Sequence, residues 1–345
     1  MHFEVRETKT EHALNPLLFA CYKKLIPDHK KPNLVGFKVY SVSKDGYRIP
    51  NKSKYFTIKP YKGKIRVNNG KPVVIPANYC TKDGGLGIAF HTDDQLDGAG
   101  NHCGIYKTNL YVDDQIVHSQ EISHVDFATN RYINTHMDYE RYKAKRVSLH
   151  KQFTSKTNQL PIYPKSSSFL SARPGDTIDI KINVHDVHGN SKTQKVALFV
   201  GKGKMGSAYY TDEFYFPDEV LFQNLEEVNV QLGTNTIYEP LRLNLKVKSD
   251  SLNKHSNVYS FGKAHIPVHQ YYDLKIIPKT SADTNHLILL RKNDKNHWVS
   301  ARGSFEKGKY TAKLRHFGSF KLGVDATPPV IRVVNFKNNA TLSSK

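Results

Sequence analysis

The chain has 345 residues, of which 38% are hydrophobic and 11% aromatic; it can close more than one core, which excludes wholesale disorder. Its 51 Lys and Arg against 31 Asp and Glu give a formal net charge of +20 at pH 7, a field that favours anionic partners such as nucleic acid, acidic wall polymer or a lipid surface. Three cysteines (Cys21, Cys80 and Cys103) exclude a disulfide framework and form no CxxC pair, so at most one bridge could form and one thiol is left over.

In chain order, His2 and Glu4 alternate with Phe3 and Val5, the period-two pattern of a half-buried strand. A polar loop over residues 7–11 follows, and Asn15-Pro16 opens a short apolar turn with a good helix-start signal. Met1-His2-Phe3-Glu4 is no signal peptide, and no apolar run approaches the ~18 residues of a membrane span. Residues 34–40 begin a series of short strands, with turn signals at Lys44-Asp45-Gly46 and Asn68-Asn69-Gly70. Residues 86–90 and 105–112 read as further strands, the second turning back at Asp113-Asp114 although a glycine is expected where φ is positive. Residues 124–165 read as a long connection with a short helical portion. In residues 178–184 four aliphatics alternate strictly with polar side chains, and 193–200 form the return strand, read as one edge of a sandwich. The Gly/Lys-rich segment 201–206 is read as a linker. Beyond it, Leu241, Leu243, Leu245 and Val247 alternate with polar residues as a strand, and further strands are expected at 272–277, 286–291, 298–299 and 317–324. Pro328-Pro329 breaks the pattern before a last strand at 330–336. The fold class is all-β: two consecutive antiparallel, Ig-like β-sandwich domains at 29–200 and 207–325, preceded by a remnant strand over 1–28 and followed by a further region at 326–345.

Seventeen histidines raise the possibility of a metal site. The tightest group is His185-Asp186-Val187-His188, but adjacent residues at a strand end point to opposite faces, so a turn built by Asp186, Gly189 and Asn190 is the preferred reading. Residues 93–101, DDQLDGAGN, resemble part of a calcium loop, yet Gly104 stands where a bidentate Glu is required; a polar turn is again preferred. Residues 139–146 mix aromatic and basic side chains without any motif that frames nucleic acid, so no nucleic-acid partner is expected. No phosphate loop, GxSxG elbow or HExxH occurs.

A resemblance adds to this reading. MHFEVRETKTEHALNPLLF is similar to the last segment of lysostaphin-type zinc metallopeptidases, the peptidoglycan endopeptidase family, in which a His-x-His strand precedes an NP-containing apolar turn. HTDDQLDGAGNHCGIYKTNLYVDD, TNRYINTHMDYE, LPIY, DVHGN, FGSF and VDATPP resemble the β-sandwich modules that follow the peptidase domain in long envelope members, so the resemblance covers most of the chain. Asp114 departs from it where the family has a turn glycine. The resemblance implies that His2 is a vestigial zinc ligand, with the first His one position before the start and the upstream His and Asp ligands missing. A zinc hydrolase needs three protein ligands and an open position, so the expectation is a catalytically silent fragment of the family, with no zinc bound. Residues 1–28 would be the end of the peptidase domain. The implied setting is the cell envelope, periplasmic or extracellular, with peptidoglycan or another anionic polymer as partner. A non-enzymatic envelope-binding or adhesion protein is the alternative.

Overall fold

The computed structural model describes residues 4–61, 64–207, 210, 213–280 and 284–330. His2 and the strand expected at 330–336 (from residue 331 on) lie outside the described residues. The chain is all-β, with two antiparallel sandwiches in succession. In the first, one sheet runs Leu149–Lys151, Gly84–Asp93, Asn33–Ser43, Arg48–Tyr61, Lys64–Val67. The facing sheet runs Val73–Ile75, Ser191–Val200, Thr177–His185, Lys107–Val112, Gln115–Glu121, antiparallel except for the first pair.

Thr177–His185 shows why alternation is a legible signal in this sequence. Ile178, Ile180, Ile182 and Val184 are all buried and join Phe37, Val39, Ile88, Phe90 and Leu110 in one core. Each such side chain contributes about 1.5–3 kcal/mol of burial. The strand is central in its sheet, however, and not at an edge: Lys107–Val112 pairs with one side and Ser191–Val200 with the other. Asp113 and Asp114 both take positive φ (48° and 61°), so the tight turn is made without glycine. Asp tolerates the left-handed region because its short carboxylate bonds locally, and here Asp114 also accepts from Lys181 Nζ at 2.7 Å.

The second sandwich pairs Leu221–Leu225, Val228–Leu232, Pro267–Ile276, Lys309–His316 and Ser304–Glu306 against Leu245–Lys248, Val258–Phe261, Gly318–Val324, Leu287–Lys292 and Trp298–Ala301. Its core is aromatic, built around Tyr259, Phe261, Tyr272, Phe317 and Phe320. The strand expected from Leu241 forms only over Leu245–Lys248. Leu243 is buried as the alternation demands, but its carbonyl and the Leu245 N–H are taken by the Gln223 side-chain amide in place of a neighbouring strand. The segment 201–206 is also no free tether, because Gly201 N–H bonds Ile75 O at 2.8 Å and Gly206 N–H bonds Cys80 O at 2.8 Å.

The N-terminal segment is part of the same body. Val5–Arg6 pairs with Ala13–Leu14, which pairs in turn with His124–Val125. Asn15 caps the turn Pro16–Leu18 by accepting from Leu17 N–H at 3.1 Å, and the helix Ala20–Leu25 follows. The long connection after residue 124 carries two short helices, Ile133–His136 and Tyr139–Lys145. It runs between the sandwiches and supplies much of their seam.

Candidate functional site

Two sets of buried carboxylates stand out, and they differ in what surrounds them. The first lies at the seam. Asp138 caps the helix Tyr139–Lys145, its Oδ1 accepting from Arg141 N–H at 3.3 Å. The same carboxylate accepts from Lys38 Nζ at 2.8 Å and Tyr40 OH at 2.6 Å, with Arg48 Nη1 at 3.4 Å. Glu239, from the second sandwich's side, takes Arg48 in a fork, Nε to Oε2 at 2.8 Å and Nη2 to Oε2 at 2.7 Å. It also accepts from Lys151 Nζ at 2.7 Å.

Burial alone would raise both carboxyls. Arg48 and Lys38 outweigh it and hold Asp138 far below its usual range, and Arg48 with Lys151 brings Glu239 down to about 2. Burial pulls the Lys151 ammonium down, and Glu239, 2.7 Å away, opposes this. Three cations thus face two anions. Beside them opens a cleft of about 290 Å³, lined by Lys38, Arg48, Glu239, Lys263 and His265 among others. Further ties across the seam run from Arg131 Nη2 to Val268 O at 3.1 Å, from Thr157 Oγ1 to Tyr238 O at 2.8 Å and between Lys143 and Asp294 at 2.8 Å.

The second set lies where three loops of the first sandwich meet. Asp28 comes from the segment joining helix Ala20–Leu25 to strand Asn33–Ser43, and Asp94 directly follows strand Gly84–Asp93. Asp186 and His188 sit in the turn between Thr177–His185 and Ser191–Val200. Asp28, Asp94 and Asp186 retain 6%, 4% and 3% exposure. One ligand atom each of Asp28, Asp186 and His188 lies within 4.8 Å of the other two. Asp28 Oδ1 accepts from the Lys30 and Asp97 N–H groups at 3.1 Å each, while its Oδ2 has no partner. Asp94 is tied into the loop by paired backbone bonds with Cys103, and its Oδ1 is likewise unpartnered. Burial raises the Asp94 carboxyl; the Gln95 N–H opposes this, and the nearby Asp186 and Asp28 add to the rise. Asn190 holds Asp186 through its N–H and its side-chain amide at 2.8 and 2.7 Å, and reaches Asp28 O at 3.0 Å. Among the described residues none of these three carboxylates is in an ion pair with Lys or Arg.

A third buried polar group lines the seam side of the first sandwich. Asn158 Nδ2 donates to Tyr163 OH, which bonds His136 Nδ1, and His136 Nε2 bonds His150 Nδ1, all between 2.9 and 3.0 Å. Burial keeps these imidazoles and the neighbouring His118 neutral: His150 falls to about 4, His118 to about 3, and His136 well below its usual value. His118 and Gln120 have no protein hydrogen-bond partner for either side-chain polar atom.

The residues singled out in the sequence fare differently. His185 turns to Asn183 and away from the carboxylates. Asp186 and His188, from the same four-residue group, converge on Asp28. The 93–101 loop contributes through Asp94 and through Asp97, which binds His29 at 2.8 Å. In the basic-aromatic stretch 139–146, Arg141 lies over the Tyr55 ring at 4.5 Å and Lys143 pairs with Asp294. Asp28, Asp138 and Glu239 are not singled out by any sequence pattern considered above. Asp138 carries a local signal, an Asp opening a helix with Glu in its first turn; Asp28 and Glu239 carry none. All three cysteines are free thiols.

Residues 212–325 match the Zu5-like domain family, a stretch that coincides with the second sandwich. No curated protein matches the chain.

Proposed function

We propose that the chain is the non-catalytic C-terminal portion of a peptidoglycan-directed zinc metalloendopeptidase homologue, a rigid pair of sandwiches that engages anionic envelope polymer. The observation that carries this reading is the N-terminal segment. Within the segment that resembles the end of the peptidase domain, Ala13–Leu14 pairs with His124–Val125, just beyond the last strand of the first sandwich's facing sheet, and Asn15 N–H bonds Ser123 O at 2.9 Å. A domain ending there is held in a fixed pose on the sandwiches. The seam then keeps the second sandwich in register with the first, and the +20 charge draws the pair to an acidic wall.

On this reading the resembled centre is not catalytic in the residues given. His2 is the single member of that zinc site in the sequence, and one ligand cannot hold the ion and orient a water. Purified protein retained on peptidoglycan at low salt, released at high salt and not retained on DNA is the expected result. Equal retention on DNA, or none on peptidoglycan, overturns the binding reading; wall lysis by this chain overturns the non-catalytic one. The nucleotide sequence upstream of Met1 decides between this reading and a standalone envelope-binding module: an in-frame His codon and a His/Asp pair support the former.

A further inference from the structure

We propose that Asp28, Asp186 and His188, with the buried Asp94 beside them, form a structural binding site for one divalent transition-metal ion, Zn²⁺ or Mn²⁺ in class, within the first sandwich. The inference goes beyond the wall-binding reading and does not rest on it, and it does not involve His2 of the resembled zinc centre.

Three observations carry it independently. The first is charge: three carboxylates, each more than nine-tenths buried, lie together without a Lys or Arg partner among the described residues, in a chain whose Lys and Arg outnumber its acids by 51 to 31. Burying an unpaired carboxylate is costly, and buried charges are as a rule paired or metal-bound. The second is the vacant valence of specific atoms. Asp28 Oδ2 and Asp94 Oδ1 are buried and unpartnered, although both residues are otherwise bonded into their loops. The third is the imidazole. His188 Nε2–H donates to Ile26 O at 2.8 Å, which leaves Nδ1 as the nitrogen with the lone pair, and Nδ1 is buried without a partner. A ring fixed through one nitrogen to a backbone carbonyl, with the other free, is the arrangement in which histidines bind metals.

The donor set selects the class of ion. Oxygen ligands alone would suit Ca²⁺ or Mg²⁺, whereas an imidazole nitrogen beside carboxylates favours Zn²⁺, Mn²⁺ and their neighbours. The ligand atoms of Asp28, Asp186 and His188 lie within 4.8 Å of one another, a gap that an ion at about 2.0–2.4 Å from each closes. The consequence is a cross-link. Asp28 lies just after the helix Ala20–Leu25, so the ion would fasten the N-terminal segment to two loops of the sandwich, next to the existing bonds from Lys23 Nζ to Val187 O and from Asn190 to Asp28 O.

The test is metal analysis of the full chain after dialysis, followed by calorimetric titration and thermal melts of chelator-treated protein with Zn²⁺, Mn²⁺ or Ca²⁺. One equivalent of Zn²⁺ or Mn²⁺ per chain is expected, with a rise in Tm on adding it back. His188→Ala, whose side chain is partly exposed, and Asp28→Asn are each expected to weaken binding at least ~100-fold, whereas His2→Ala leaves it unchanged. No bound metal and no shift in Tm overturns the proposal. So does binding that survives both variants, which would place the ion on other histidines. Preference for Ca²⁺ over both transition metals overturns the class of ion.

Discussion

The seam and the three-loop cluster bury carboxylates to a similar depth by opposite means. Asp138 and Glu239 meet Arg48, Lys38 and Lys151 directly, and the cations lower both carboxyls despite the burial. Asp28, Asp94 and Asp186 meet one another and a histidine, and burial raises the Asp94 carboxyl. The lesson is that low exposure does not say what a carboxylate is for. What matters is whether the positive charge that burial requires is supplied by the chain or left to be supplied from outside. At the seam the chain supplies it, so the network is a fixed joint. At the cluster it does not.

Acid should separate the two most strongly. A histidine whose folded pKa is depressed contributes stability above its unfolded value near 6.5 and loses it as pH falls toward the folded value. His150 and His118 lie at about 4 and about 3, and burial holds His136 well below its usual value. Each costs about 1.4 kcal/mol per pH unit over that window, so three together should carry the first sandwich to acid unfolding between pH 6 and 4. Glu239 titrates later: its folded value is about 2, so its contribution holds down to about pH 4.5 and disappears toward 2. Denaturant midpoints at pH 7, 6 and 5 check this, and a flat profile across that range would remove the neutral histidine relay.

Breaking the joint comes next in size. Arg48→Met leaves Glu239 and Asp138 with a buried partner missing and should destabilise by about 3–5 kcal/mol, read from urea unfolding. Pairing it with Glu239→Gln should recover part of that loss. If the double variant is no better than the sum of the singles, the two side chains do not act as a pair. At the other set the sign reverses. Asp94→Asn in chelator-treated protein should be neutral or stabilising by about 1 kcal/mol, because it removes a buried charge that no cation of the chain offsets. A loss above 2 kcal/mol would mean that the carboxylate has a partner within the protein. The smallest effect belongs to an exposed carboxylate. Asp114→Gly gives up an exposed, solvent-screened pair with Lys181 and relieves a positive φ of 61°. No resolvable change in the melting curve is expected, and a clear loss would show that the Lys181 contact matters more than its exposure suggests.

How much of this is legible in the sequence follows the range of each interaction. Strands with strict alternation announce themselves, because burial on one face repeats every second residue: Thr177–His185 is the clearest case. Residues 241–244 mislead for the same reason, since Leu243 obeys the period while the backbone bonds go to Gln223. The turn at Asp113-Asp114 is legible even without its glycine. The candidate site is half visible. Asp186 and His188 stand out in the sequence but read as a turn, which fits the local bonds to Asn190, and those do exist. Their meeting with Asp28 and Asp94 depends on where the ends of two strands and an incoming linker fall, and no local pattern encodes that.

The sequence by itself determined the all-β class, the alternating faces and the net positive charge, because these depend on neighbours along the chain and on composition. The tertiary structure alone decided which carboxylates are neutralised and which are not. Arg48 finds Glu239 across 191 positions of sequence and Lys38 finds Asp138 across 100, while Asp28 comes to rest against Asp186 with no Lys or Arg paired to either among the described residues. The physical reason is the reach of the forces. Burial periodicity acts between adjacent residues, whereas a buried charge answers to whatever the fold brings within a few ångströms of it.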